Sequence, residues 1–217
     1  MNFSYFFELL CGGIVKGSIY ALIALGYTMV YGIIQLINFA HGEIYMVGAF
    51  VALIVAGMLT LSGYSGMTVL LLAAVGAAIY AAAYGYTLEK IAYRPLRNAP
   101  RLSPLISAIG ASIFLMNYVQ LAQTPDFLPF PELVPDLPFL EPIAQFVSAV
   151  DLVILIVTTL TMIALSVLIK YTKVGKAMRA TQQDMVMARL VGINVDRVIS
   201  STFIIGSVLA AIAGVLI

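Results

Sequence analysis

Charge is scarce in this chain. Only 10% of its 217 residues are Asp, Glu, Lys or Arg, against roughly 25% in soluble domains. A water-soluble fold is excluded on that ground. The net charge of +1 leaves no global basic field, so no nucleic-acid partner is expected. The single cysteine, Cys11, excludes an internal disulfide and any cysteine-based metal cluster. The single histidine, His41, cannot supply a His-Glu-x-x-His zinc site. No P-loop is present: "KVGKAM" holds a Gly-Lys pair without the glycine five residues earlier. The N-terminus "MNFSYFFELL" has no basic region of the kind that opens a cleaved signal peptide. These absences leave no catalytic constellation, no metal ligand set and no cofactor site in this chain. Any nucleotide that drives it has to be bound by another chain.

What remains is apolar: 62% hydrophobic residues and a mean hydropathy of +1.06. A spanning helix needs about 20 apolar residues. Six stretches qualify, at about 9–30, 44–61, 67–88, 104–122, 151–170 and 199–217. The expected fold is an all-α polytopic bundle, a single transmembrane domain over 1–217. The chain stops at "LAAIAGVLI" with no polar flank, so a further C-terminal part is expected.

Ten of the eleven basic residues fall in two places. Lys90, Arg94, Arg97 and Arg101 separate spans three and four. Lys170, Lys173, Lys176, Arg179, Arg189 and Arg197 lie between spans five and six. Segment 123–151 carries Asp126, Glu132, Asp136, Glu141 and Asp151 and no base. The positive-inside rule makes the two basic loops cytoplasmic and the acidic segment external. The N-terminus and stretch 31–43 then lie outside and on the cytoplasmic side, respectively. Small residues recur at four-residue spacing in Gly13/Gly17, in Gly206/Ala210/Gly214 and in Ser103/Ser107/Ala111, as in helices that pack closely in lipid.

Two loops carry further content. The external loop 123–150 holds six of the nine prolines, with Phe127, Phe130 and Phe139. That density excludes a regular helix. It suits either a stiff connector over the outer face or a rim that touches an external partner. The cytoplasmic loop 171–198 reads as a short helix over 182–191, opened by a capping box from Thr181 to Asp184. Gly192 suits the left-handed position past its end, and Asn194 suits an N-cap for the next helix, with Asp196 in its first turn. The short helix offers Met185, Ala188, Leu190 and Val191 as an apolar edge. It either rests on the lipid interface or docks on a cytoplasmic protein.

The stretch "QLINFAHGEIYMVG" places Gln35, Asn38, His41 and Glu43 between apolar runs. Unpaired polar groups at membrane depth cost several kcal/mol. Gln35, Asn38 and His41 are spaced to share one side of a helix, with Glu43 elsewhere, and Gly32, Gly42 and Gly48 permit a break or a close approach. Two readings stay open. The segment lies at the interface, or it forms a bend that lines a water-filled path. In either case these four residues are candidates to support the bundle or its translocation path.

The run "GSIYALIALGYTMVYGIIQLINFAHGEIYMVGAF", with "EKIAYRPLR", "LISAIGASIFLMNY" and "ARLVGINVDRVI" in the same order, closely resembles the H-type permease subunit of bacterial branched-chain amino acid ABC importers. The resemblance spans essentially the whole chain, and "INFAHGE" is its most specific part. It implies a multi-pass subunit of the bacterial inner membrane. It also implies a second homologous permease subunit, two cytoplasmic ATPase subunits that bind ATP, and a periplasmic substrate-binding protein. Members of that family run on beyond the equivalent of Ile217. The cytoplasmic loop then resembles an importer coupling helix, with Gly192 and Ala188 at the motif's glycine and second alanine. Val186 and Met187 stand at its Glu and first Ala positions, so no carboxylate role is carried over. Permeases for urea or short amides look similar, which leaves the solute open. A channel or secondary transporter without an ATPase is the reading from another class. The absence of a strong intramembrane acid pair argues against proton coupling.

Overall fold

A computed structural model describes residues 3–97, 99–100, 102–124, 126, 128–131, 133–135 and 147–217. Eight α-helices occur among them: α1 (Phe3–Ile34), α2 (His41–Leu61), α3 (Met67–Leu88), α4 (Leu102–Ala122), α5 (Ala149–Tyr171), α6 (Lys173–Gln183), α7 (Met185–Leu190) and α8 (Val195–Val215). All but α6 and α7 are long and apolar enough to cross a membrane, giving six candidate spans among the described residues. The all-α polytopic bundle expected from composition is the observed fold.

α8 is the centre. In its most apolar 18-residue window 72% of residues are buried, against 17–28% in the other five spans. It packs against α1, α2 and α3, while α5 lies outside α1 and α4 lies outside α2. Glycines make this possible. A Cβ on Gly26 of α1 would stand 3.0 Å from the Gly206 carbonyl oxygen of α8. One on Gly48 of α2 would stand 2.7 Å from the Ala211 Cα, and one on Gly85 of α3 2.0 Å from the Ser207 Oγ. One on Gly214 would stand 2.7 Å from the Tyr45 carbonyl oxygen. α8 is therefore in near backbone contact with three helices, as small residues allow in lipid. The row Gly206/Ala210/Gly214 does what its spacing suggested. The pair Gly13/Gly17 does not: both are exposed, and nothing lies within 4 Å of either added Cβ.

The helix ends differ from the sequence expectation in instructive ways. α3 does not stop at a loop after Leu88. The chain continues as a π turn over Glu89–Tyr93 and a 3₁₀ turn over Arg94–Leu96. Pro95 explains the change of winding, because it has no N–H to donate and its ring collides with the carbonyl four residues back in an α-helix. α5 opens with a capping box. The Ser148 Oγ accepts from the Asp151 N–H at 3.1 Å, and the Asp151 carboxylate accepts from the Ser148 N–H at 2.8 Å. Asp151, read as a charge of the external segment, is thus a helix cap.

Segment 171–198 holds two helices, α6 and α7, where one was expected. Thr181 lies inside α6, buried, so it opens no helix. Asp184 is the cap instead, its Oδ1 accepting from the N–H groups of Val186 at 2.7 Å and Met187 at 3.0 Å. The Gly-Lys pair at 175–176 marks the turn into α6. A Cβ on Gly175 would stand 2.2 Å from the Ile169 carbonyl oxygen. Most of segment 132–146 lies outside the described residues. Within it Leu133 is buried, and just before it Phe130 packs against the core.

Two sets of glycine substitutions separate contact from composition. Gly85→Ala forces α3 away from α8 and is expected to cost about 1–3 kcal/mol by overpacking. Gly13→Ala and Gly17→Ala add a methyl to open space and should leave the melting temperature of the detergent-purified protein unchanged. Equal melting temperatures for all three would contradict this packing.

Candidate coupling site at the basic end of the bundle

The stretch from Gln35 to Glu43 is a break between two helices. α1 ends at Ile34, and the Gln35 N–H donates to the Tyr31 carbonyl at 2.8 Å. Gln35 then takes φ +53°, the single non-glycine residue with positive φ among those described. Residues 35–40 carry no helix, and α2 begins at His41. The shared helical face expected for Gln35, Asn38 and His41 therefore does not exist. A left-handed residue at 35 turns the chain before a second turn can form.

The four residues go to separate places. Gln35 is exposed. Asn38 is buried, and its Oδ1 accepts from the Tyr93 hydroxyl at 3.1 Å. The same hydroxyl lies 3.3 Å from the Ile37 carbonyl oxygen. Glu43 is half-buried, and its Oε1 accepts from the Ser112 hydroxyl of α4 at 2.9 Å. His41 is buried against α1 and α8. A Cβ on Gly26 would come within 3.0 Å of the His41 Cε1, and the Tyr27 ring stands edge-on to the imidazole at 6.1 Å. The His41 Nε2 has no hydrogen-bond partner among the described residues. The ring packs beside Gly26 and Tyr27 of α1. No group of three or more His, Cys, Asp or Glu among the described residues could hold a metal ion.

A second cluster sits beside the break. Glu89, at the end of α3, has no exposed surface. Its Oε1 pairs with the Arg97 guanidinium, and the Arg94 Nε stands 3.5 Å away. Its Oε2 accepts from the Ser200 hydroxyl of α8 at 2.7 Å. Arg97 also reaches the Asp196 Oδ1 at 2.5 Å. A buried carboxylate is tolerable when paired and hydrogen-bonded in this way. One helical turn beyond Glu89, Tyr93 is buried with its ring 5.0 Å from that of Phe203. The sequence reading used Arg94 and Arg97 for orientation and Asp196 as a first-turn acid, and missed Glu89 and the contacts among them. The available signal was a lone acid ending a 22-residue apolar helix, followed by two arginines.

α7 lies close by. Its end is a Schellman turn: the Ile193 N–H donates to the Ala188 carbonyl at 2.9 Å and the Gly192 N–H to the Arg189 carbonyl at 3.0 Å. Gly192 has φ +85°, as its position required. Asn194 caps α8, its Oδ1 accepting from the Arg197 N–H at 3.0 Å. The apolar edge is not the expected one. Ala188 is buried and Met185 packs against the core, so both face the bundle. Val186, Met187, Leu190 and Val191 are exposed by 60–76%.

The family model for the branched-chain amino acid transport system / permease component matches residues 9–217. The chain belongs to that permease family. Three relatives show how near it stands. The high-affinity branched-chain amino acid transport system permease protein LivH of Salmonella typhimurium is 48% identical over all of this chain and 71% of its own length. LivH of Escherichia coli K12 is 47% identical over the same shares. BraD of Pseudomonas aeruginosa, a permease protein of the same description, is 45% identical over 98% of this chain and 71% of its own length. No solved structure matches the permease.

The Glu43–Ser112 pair ties α2 to α4 and can be measured. In a double-mutant cycle of Glu43→Leu and Ser112→Ala, we expect a coupling of about 1 kcal/mol or more, as for a hydrogen bond to a charged group. Chemical denaturation of the purified permease reads it. Strict additivity of the two losses would mean that the contact contributes nothing.

Proposed function

We propose that the permease is one membrane-spanning subunit of an importer that carries branched-chain amino acids into the cell, with partner ATPase subunits as the motor. A second homologous permease subunit would complete the path, and an external binding protein would deliver the solute. The relatives reported above all carry branched-chain amino acid names, which supports that solute over urea or short amides. In a bacterium the membrane would be the inner one. The positive-inside rule supports a cytoplasmic location for α6, α7 and the Glu89 cluster, and an external one for the acidic segment.

The observation that carries the reading is the exposed face of α7. Three apolar side chains of a six-residue helix and that of its C-cap, Val191, project outward, with Asp184 capping the start and Gly192 closing the end. An ordered helix that leaves Val186, Met187, Leu190 and Val191 uncovered suits a groove in another protein. Closure of the ATPases on ATP would then press on α7, and the bundle would rock between states open to either side.

A carboxylate in that face should prevent docking and leave the fold alone. Leu190→Asp, in an exposed position, is expected to insert normally yet recover few ATPase subunits in a pull-down and lose ATP-dependent uptake. Full recovery of the ATPases would discard α7 as the contact. Ala188 faces inward, so bulk placed there would test packing and not docking.

Orientation has its own measurement. In a Cys11→Ser background, Gln123→Cys at the exposed end of α4 should react with an impermeant thiol reagent on intact spheroplasts. Reaction after lysis alone would invert the topology.

A further inference from the structure

α7 and the break at 35–40 are far apart in sequence, but polar contacts and two short backbone segments join them. After the Schellman turn, Ile193 and Asn194 alone separate Gly192 from α8. The first turn of α8 carries Asp196, whose Oδ1 lies 2.5 Å from the Arg97 guanidinium. Arg97 pairs with Glu89, and Glu89 accepts from Ser200 one turn further along α8. α8 is thus held to that carboxylate directly through Ser200 and indirectly through Arg97 and Asp196. From Glu89 the π turn runs to Tyr93, whose hydroxyl reaches Asn38 and the Ile37 carbonyl inside the break.

The burial pattern gives this series a direction. Glu89 has no exposed side-chain surface, Arg97 has 17% and Asp196 has 53%. A buried ion that loses its partner is left uncompensated inside the protein, so the inner contacts hold as one unit. The break at its other end has no helical ladder to resist movement. A displacement of α7 therefore carries the start of α8 with it, then the π turn, and is taken up where the backbone is least supported.

We propose that the Asp196–Arg97–Glu89 series, continued by Tyr93, transmits the push on α7 to the broken segment 35–40. Asp196, Arg97 and Tyr93 are on this view positioning residues for transport. The proposal rests on the reading of α7 as the ATPase contact. It assigns function to side chains that touch neither the ATPase nor the solute.

Asp196 is the joint to test, since its removal strands no buried charge. The complete importer is reconstituted in proteoliposomes with its ATPases and binding protein. Radiolabelled leucine taken up per ATP hydrolysed is measured for Asp196→Asn, Asp196→Glu and Tyr93→Phe. Asp196→Asn is expected to keep its ATPase subunits and to lower uptake per ATP about fivefold, the low end of coupling between distant sites. Asp196→Glu, which keeps the charge, should restore most of the ratio, and Tyr93→Phe should lower it. A purely structural role would reduce permease abundance and hydrolysis together and leave the ratio intact, which would overturn the proposal. Loss of the ATPases from Asp196→Asn would overturn it too, by placing Asp196 in the docking surface. Failure of the α7 reading is seen separately, as ATPase recovery by Leu190→Asp.

Discussion

The bundle depends on how closely backbones approach α8. In lipid no hydrophobic effect gathers the helices, so van der Waals contact and interhelical hydrogen bonds have to do it. Gly26, Gly48, Gly85 and Gly214 each sit where a methyl group would meet backbone or side-chain atoms of a neighbouring helix. With α1, α2 and α3 drawn onto α8, the apolar residues on their outer faces remain exposed to lipid, which accounts for Leu71, Leu72, Val75 and Ile79 along α3.

This close packing constrains the polar groups. Once α3 and α8 touch at Gly85 and Ser207, their ends at the basic side are also adjacent, and Glu89 has no route to water. It finds Arg97, Arg94 and Ser200 instead. Such a cluster is weak evidence for stability, because desolvation of the ions offsets much of their attraction. Its effect is on register. A shift of α3 along α8 would leave the Glu89 carboxylate or the Ser200 hydroxyl unpaired inside the protein. The same holds for Tyr93, whose hydroxyl meets Asn38 only while its ring rests on Phe203.

α7 shows how little sequence is needed to present a rigid face. Six residues are too few to hold a helix in water. Asp184 satisfies two N–H groups at one end, Gly192 and Ile193 close the other, and Ala188 and Met185 anchor the inner side. The exposed side chains are then ordered by contacts on the opposite face. On the proposed docking, a partner's groove would meet a helix whose backbone is already fixed.

The sequence by itself determined the class of fold, the spans and the charge asymmetry, since hydropathy and charge act locally along the chain. It also determined Gly192 and Asn194, because a left-handed position and an N-cap are properties of a few consecutive residues. It misjudged features that depend on distant partners. Thr181 and Asp184 match a capping box by spacing, yet Asp184 became the cap because α6 continues through Thr181 and packs on α8. Ala188 looked like part of an outer edge until α7 was laid against the core. Gly13 and Gly17 share the spacing of Gly206 and Gly214, but no described residue lies within 4 Å of a Cβ placed there. The Glu89 cluster joins residues about a hundred positions apart. Tertiary structure alone decided it, because a side chain's partner at that range is set by which helices meet and not by any local pattern.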